Sequence, residues 1–290
     1  YGIAGFRQLL IDKLADPKVL PLFVAVDAYI NETTAFADYI IPDTHNFESW
    51  GFTAPWAGVP FKASTARWPV IEPHVDKTKN GDPICVESFF IAVGKAMNLP
   101  GIGDDAIQDA NDPSIHYPFN RPEDYYLRAA ANMAFDDSPV PDATREEMNL
   151  TGVSRLKNKL EAVLKPEEQM KVAYIYARGG RVAHFETGWD GDHLRKKWPM
   201  TMQLWNETVS VHKHSTNGER YSGCPTYYPS RFVDGSSMRD HYTQNEWPFL
   251  LTSFKSHLIS STAGSNLRMR MIKPTNLVGL NAGDASRLGI

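Results

Sequence analysis

Leu20-Pro-Leu-Phe-Val-Ala-Val-Asp27, followed by Tyr39-Ile-Ile-Pro42, is the stretch that decides the fold class. From Leu20 to Val26 the chain is almost continuously apolar and rich in β-formers, and it stops at Asp27. A strand that is apolar on both faces belongs in a parallel sheet covered on both sides. Tyr39-Ile-Ile41 reads as a second short buried strand, closed by Pro42-Asp43-Thr44. Between them, Asn31-Glu-Thr-Thr34 offers caps for a short helix over residues 34–37. Strand, short helix and strand within about 25 residues is an α/β arrangement.

Working outward, Phe6, Leu9, Leu10 and Leu14 have helical spacing, and Asp16-Pro17 stops that helix. Residues 83–97 predict an amphipathic helix with Val86, Phe89, Phe90, Val93 and Met97 on its apolar face. Helices are also expected over 123–135, after Arg121-Pro122, and over 154–164. Pro166-Glu-Glu reads as a polar break, and Val172-Ala-Tyr-Ile-Tyr-Ala177 as the opening of a strand-rich region. Residues 45–84 and 99–122 show little periodicity and read as long irregular excursions. Pro248-Phe-Leu-Leu-Thr252 and Leu277-Val-Gly-Leu280 look like strands of a β domain cut short. Ala282 to Gly289 predicts one helical turn with a glycine stop.

The 290 residues suggest two domains and a core of ordinary size. Apolar residues at 42% and charged residues at 22% exclude a disordered or low-complexity chain. A net charge of −4 argues against a general nucleic-acid binder. No apolar run is long enough for a membrane span. The first residues carry no targeting signal and there is no initiator Met, so the chain reads as a processed or excised piece. Cys85 and Cys224 are too few for a cysteine-only zinc or iron–sulfur centre, and both read as unpaired buried thiols.

Ligands of α/β proteins sit at the carboxyl ends of parallel strands. Asp27 and Asp43 stand there, and either could accept the N–H and NH2 donors of a guanine edge or simply cap a helix or turn. The loop Thr252-Ser-Phe-Lys-Ser-His-Leu-Ile-Ser-Ser-Thr262 concentrates hydroxyls, Lys255 and His257. It could wrap a phosphate or polar heterocycle, or be a solvated loop. Arg178-Gly-Gly-Arg181 could receive an oxyanion or form a surface turn. Asp190, Asp192, His193, His184 and Glu186 fit no standard metal pattern, and His212 and His214 share a face if that segment is a strand.

Phe23-Val-Ala-Val-Asp27-Ala-Tyr-Ile-Asn-Glu32-Thr33-Thr-Ala35-Phe-Ala37-Asp38-Tyr-Ile-Ile-Pro42 with Glu48-Ser-Trp-Gly51 resembles a signature of the molybdopterin oxidoreductases of the dimethyl-sulfoxide-reductase superfamily. Asn217-Gly-Glu-Arg-Tyr-Ser222, Pro225-Thr-Tyr-Tyr-Pro229, Trp247-Pro-Phe-Leu-Leu-Thr252 and Asn276 to Ile290 resemble the passage into that family's C-terminal barrel. Arg67 to Pro73, Arg121 to Arg128 and Val172 to Arg181 narrow the resemblance to respiratory oxyanion reductases.

The resemblance implies an α/β fold: a partial Rossmann-like parallel sheet domain with long irregular excursions over residues 1–165. A connecting strand and loop region would cover 166–245, and the start of a truncated dinucleotide-binding β-barrel 246–290. It also implies that the chain is a C-terminal-half piece of a catalytic subunit, inactive alone, with the molybdenum ligand outside it. The complete subunit would hold molybdenum bis(molybdopterin guanine dinucleotide) and a [4Fe–4S] cluster. Its partners would be an iron–sulfur electron-transfer subunit together with a membrane anchor subunit, in the periplasm or on the outer face of the cytoplasmic membrane. By the same resemblance Asp27, Asp43 and Glu87 would approach the guanine dinucleotide. Ser253, Lys255, Ser256, His257, Ser260 and Ser261 would lie along a pterin. Arg178 and Arg181 are expected, from charge alone, to line the path of a small anionic substrate. The rival expectation is a non-catalytic nucleotide- or partner-binding module on the same scaffold.

Overall fold

In this computed structural model, the described residues are 6–54, 60–195, 203–214, 218–254, 256, 267–275 and 277–290. The chain divides into two compact units, a larger one of Leu22–Ile30 and Phe36–Gln203 and a smaller one of Tyr1–Pro21, Asn31–Ala35 and Leu204–Ile290.

The larger unit opens with the parallel pair β1 (Val24–Asp27) and β2 (Tyr39–Pro42), in register from Val24↔Tyr39 to Asp27↔Pro42. Next come β3 (Gly51–Thr53), β4 (Ala63–Arg67), α2 (Val86–Ala96), β5 (Gly103–Gln108) and β6 (His116–Phe119); α1 (Phe6–Ala15) belongs to the smaller unit. Then follow α3 (Pro122–Phe135), α4 (Arg145–Thr151), α5 (Lys157–Val163), α6 (Pro166–Ala177), β7 (Gly180–Val182) and the small hairpin β8 (Trp189–Asp190) and β9 (His193–Leu194).

The core lies among α3 to α6, where Leu127, Val153, Val172 and Ile175 are fully buried. Helices α3 and α4 start at residues suited to a helix N-terminus. Pro122 takes the first turn of α3, and Asp124 accepts the N–H groups of Asn120 and Arg121 at 2.8 and 2.9 Å. Thr144 and Glu147 cap α4 reciprocally at 3.1 and 2.8 Å. Inside the helical block, Arg128 grips Glu168 through two hydrogen bonds of 2.6 and 3.0 Å. Strands β3, β4 and β7 form an antiparallel sheet over this block's edge. Gly180 is required there: its φ is 137°, and an added Cβ would lie 2.2 Å from the Ser64 carbonyl oxygen.

Several expectations need correction. Residues 172–177 are helix, the end of α6, rather than the opening of a strand-rich region. Pro166-Glu-Glu is that helix's first turn, and buried Glu168, Val172, Ile175 and Tyr176 give the helical period once the window starts at Pro166. On α2 the buried positions are Ser88, Ile91 and Gly94, while Phe90 and Met97 are exposed. The helix lies close against Ile102, whose Cδ1 would be 2.2 Å from a Cβ on Gly94. The excursion 99–122 contains the antiparallel pair β5 and β6. Strand β2 is not buried: Tyr39 and Ile40 are exposed, because no layer covers them among the described residues.

In the smaller unit, α7 (Glu207–Val211) and α8 (Met238–His241) join α1, with α9 (Leu267–Ile272) and α10 (Ala282–Leu288) at the C-terminal end. Helix α10 matches expectation: Asn281 Oδ1 accepts the Gly283 and Asp284 N–H groups, and Gly289 closes it at φ 72°. Among the described residues of 246–290 there is no strand, so the strands expected at 248–252 and 277–280 are absent and no barrel is seen. Mixed helix and sheet agrees with the α/β expectation at its coarser level. Cys85 is buried as expected, but Cys224 is exposed.

Candidate functional site

Two neighbouring clefts of the larger unit share the wall residue Glu48. The first, of about 480 Å³, lies at the carboxyl ends of β1 and β2 and is lined by Ala28, Tyr29, Pro42, Asp43, His45, Glu48, His74, Val75 and Asp76. That is where a parallel α/β sheet binds its ligand. Asp27 Oδ1 accepts the Tyr29 N–H at 2.9 Å, a side-chain turn that brings Tyr29 into the groove wall. Asp43 Oδ1 accepts the N–H groups of Thr44 at 2.9 Å and Val86 at 3.0 Å. One oxygen of Asp43 therefore ties the tip of β2 to the start of α2, where the helix dipole favours a carboxylate. Among the described residues its Oδ2 has no hydrogen-bond donor. Glu48 pins the two loops of the groove together, accepting the His45 N–H at 3.0 Å and the His74 N–H at 3.2 Å.

The second cleft, of about 380 Å³, includes Trp50, Trp68, Glu87, Arg121, Glu123, Arg155 and Lys159 in its wall. Its charges largely neutralise one another. Buried Glu123 sits 3.3 Å from Arg121 Nη2 and 2.5 Å from Lys159 Nζ, and Arg121 Nε donates to buried Asp82 at 2.6 Å. The Tyr126 hydroxyl donates to Glu87 Oε1 at 2.8 Å. Burial, then the Glu87 charge beside it, pushes the Tyr126 phenol well above its ordinary range. Burial likewise pushes the Cys85 thiol at this wall up to about 11.

Thus Asp43 and Glu87 come together at the start of α2, one in each cleft, while Asp27 lines neither and sits at the tip of β1, where its carbonyl accepts the Asp43 N–H at 3.1 Å. Arg178 and Arg181 line neither cleft. Arg178 pairs with Glu147 and lies 4.2 Å over the Tyr174 ring. Arg181 donates to the Met133 carbonyl at 2.8 Å and the Ser138 carbonyl at 3.0 Å, closing the C-terminal end of α3. Ser253 and Ser256 belong to the smaller unit, and Lys255, His257, Ser260 and Ser261 lie outside the described residues. His45, Glu48, His74 and Asp76 were not singled out as site residues by sequence; Glu48 stood in the quoted signature without a role. Among the described residues no cluster of His, Cys, Asp and Glu could hold a metal ion. No described helix is long and apolar enough to cross a membrane.

No family model matches the chain, and no solved structure matches it. Curated proteins do. The whole chain is 50% identical, over 291 residues, to a tetrathionate reductase subunit of Salmonella typhimurium. It is 29% identical over 306 residues to a selenate reductase subunit of Mesobacillus selenatarsenatis, again along its whole length. The corresponding tetrathionate reductase subunit of Archaeoglobus fulgidus matches 99% of the chain at 28% identity. The chain spans 28% of the length of each of these relatives.

Proposed function

We infer that this chain is a segment of a molybdopterin oxidoreductase, the catalytic subunit of a tetrathionate reductase, and that the complete subunit reduces tetrathionate to two thiosulfates. The observation that carries this is 50% identity sustained over the whole chain. Two electrons enter from an iron–sulfur partner subunit, supplied through a membrane anchor subunit, and break the central S–S bond. The complex works in the periplasm or at the outer face of the cytoplasmic membrane. When bound, molybdenum bis(molybdopterin guanine dinucleotide) supplies the redox chemistry and a [4Fe–4S] cluster relays the electrons.

The chemistry of the strand-tip groove fits the guanine end of that cofactor. A guanine edge offers N–H donors, and the groove wall carries three carboxylates, Asp43, Glu48 and Asp76, with Asp43 Oδ2 undonated among the described residues. Its volume is within the ordinary range for a small-molecule site. In this reading Asp43 takes the guanine edge, Asp27 sets the turn that presents Tyr29, and Glu87 holds the neighbouring cleft. Ser253, Lys255, Ser256, His257, Ser260 and Ser261 serve the pterin.

The test is the complete subunit with its partners, assayed for molybdenum, for released guanine nucleotide and for oxidation of a reduced viologen dye by tetrathionate. Asp43→Asn is expected to lower nucleotide and molybdenum content about tenfold, since a hydrogen bond to a charged group contributes about 1.5–3 kcal/mol. Unchanged content removes Asp43 from the site. Arg178→Ala and Arg181→Ala test the anion path: they belong to it if tetrathionate turnover falls while molybdenum content holds. Loss of molybdenum in either variant refutes that role. The similarity to selenate reductase supports a second reading, in which the same subunit takes another oxyanion such as selenate or arsenate. The dye assay with each oxyanion separates the two, and a complete subunit without molybdenum favours the binding-module rival.

A further inference from the structure

We propose that the second cleft is a receiving site for a small dianion that carries its charge at two ends, held by Arg121, Arg155 and Lys159. All three line the cleft. Charge there sums to little, but it is layered. Glu123 is 4% exposed, whereas Lys159 is 42% and Arg121 46% exposed. Asp82, which accepts the Arg121 Nε–H, is 5% exposed and does not line the cleft. One oxygen of Glu123 takes both Arg121 Nη2 and Lys159 Nζ, so the two cations are held side by side. An ammonium has three N–H donors and a guanidinium five, so both keep donors beyond those the carboxylates take. Buried carboxylates thus orient the cations, and the cations are what a ligand meets.

Arg155 supplies the second end. It stands four residues before Lys159, in the short turn Val153–Leu156 that leads into α5. Among the described residues no carboxylate pairs with it; it donates to the carbonyls of Gly152 at 3.3 Å and Val70 at 3.0 Å. Its guanidinium lies 4.9 Å over the Trp68 ring, and Lys159 Nζ is 6.0 Å from the Trp50 ring centre. Both indoles are buried, so both cations rest on fixed surfaces. The other carboxylates of the wall are already engaged: Glu87 by the Tyr126 hydroxyl, Glu48 by two backbone N–H groups and Glu72 by Lys77 at 2.8 Å. The cleft has room for a small molecule. Tetrathionate has the required form, a sulfonate at each end of a sulfur chain, whereas sulfate, selenate and arsenate are compact. Naming the anion rests on the tetrathionate reading above; the cation arrangement does not.

The test titrates the complete subunit with its partners, prepared with and without the molybdenum cofactor, with tetrathionate in a calorimeter. No reductant is present, so nothing turns over. Arg155→Gln and Lys159→Gln are each expected to raise Kd about tenfold in both preparations, the loss of a hydrogen bond to a charged group. Arg155→Lys keeps the charge and should recover most of the affinity. Lys62→Gln removes an exposed cation outside both clefts and should leave Kd unchanged. An unchanged Kd in both glutamine variants overturns the proposal. A rise confined to the loaded preparation assigns these residues to the metal centre and overturns it. Lower molybdenum or guanine nucleotide content in the loaded variants assigns the cations to the cofactor's phosphates, and also overturns it. Sulfate at the same ionic strength reaches one end only and should bind about tenfold more weakly. Equal affinity makes the cleft a general anion patch and overturns the two-ended assignment. Should Lys159→Gln fail to fold, having taken a partner from buried Glu123, Arg155→Gln strands no carboxylate and decides alone. A complex that reduces tetrathionate without these shifts defeats the cleft and leaves the function. One that binds it through these cations and does not reduce it defeats the function and leaves the cleft.

Discussion

The helical block α3 to α6 and the C-terminal stretch 246–290 are built from similar apolar residues with opposite fates. Leu127, Val153, Val172 and Ile175 are fully buried, whereas Leu250, Leu251, Phe254, Leu277 and Val278 are exposed, Leu251 at 90%. The difference is not hydrophobicity. In the helical block, four successive helical segments are joined by short connections, so each apolar face finds its neighbour within about 50 residues of chain. In 246–290 the short helices α9 and α10 bury no residue. Apolar sequence marks a surface that wants cover; whether cover exists is a property of the neighbours.

The largest expected effect breaks the helical block from within. Removing Glu168 leaves the Arg128 guanidinium buried without its partner, since both side chains are no more than 10% exposed. Glu168→Ala should therefore cost about 3–5 kcal/mol in urea unfolding. The double change Arg128→Met with Glu168→Leu should recover most of that loss, because paired removal leaves no stranded charge. A double variant as unstable as the single one would show that the pair contributes more than mutual compensation.

A smaller effect sharpens the comparison across regions. Leu127→Ala opens a cavity in a packed interior and should cost about 2–5 kcal/mol. Leu251→Ala, the same chemical change on an exposed side chain, should stay within about 0.5 kcal/mol in the isolated chain. Similar losses at both positions would mean that the C-terminal stretch packs in solution. In the complete subunit, a loss at Leu251 would mark the point where further chain covers it.

The same distinction explains what was legible in the sequence. Helix α3 could be bounded because Pro122 and two acidic residues write its start, and α10 because Asn281 and Gly289 bracket it. The strands β1 and β2, and Asp43 at their tips, follow from local composition. Helix α6 was misread where the window began at Val172, after the capping turn that identifies it. The groove residues His45, Glu48, His74 and Asp76 come from two loops joined by one carboxylate, and no local period records that meeting. Exposure of β2 was illegible for a related reason: a strand's own residues say what it needs on either face and nothing about whether it is there.

The smallest effect places one thiol in each unit against the other. Cys85, in the larger unit, is buried at the start of α2, and burial pushes its thiol up to about 11. Cys224, in the smaller unit, is exposed, and the hydroxyls of Ser222 and then Thr226 favour its thiolate and lower its pKa. Reactivity follows the accessible thiolate. At pH 8 a disulfide reagent should therefore titrate one fast thiol in the folded chain, abolished by Cys224→Ser, with the second appearing only in urea. The pH dependence has a definite sign. Between the ordinary thiol range near about 8.5 and about 11, the folded chain keeps a Cys85 proton that the unfolded chain releases. Stability should fall as pH rises through that window, and Cys85→Ala should flatten the fall. Two fast thiols at pH 8 would mean that the start of α2 opens readily, and the burial contrast between the units would then fail at its most accessible probe.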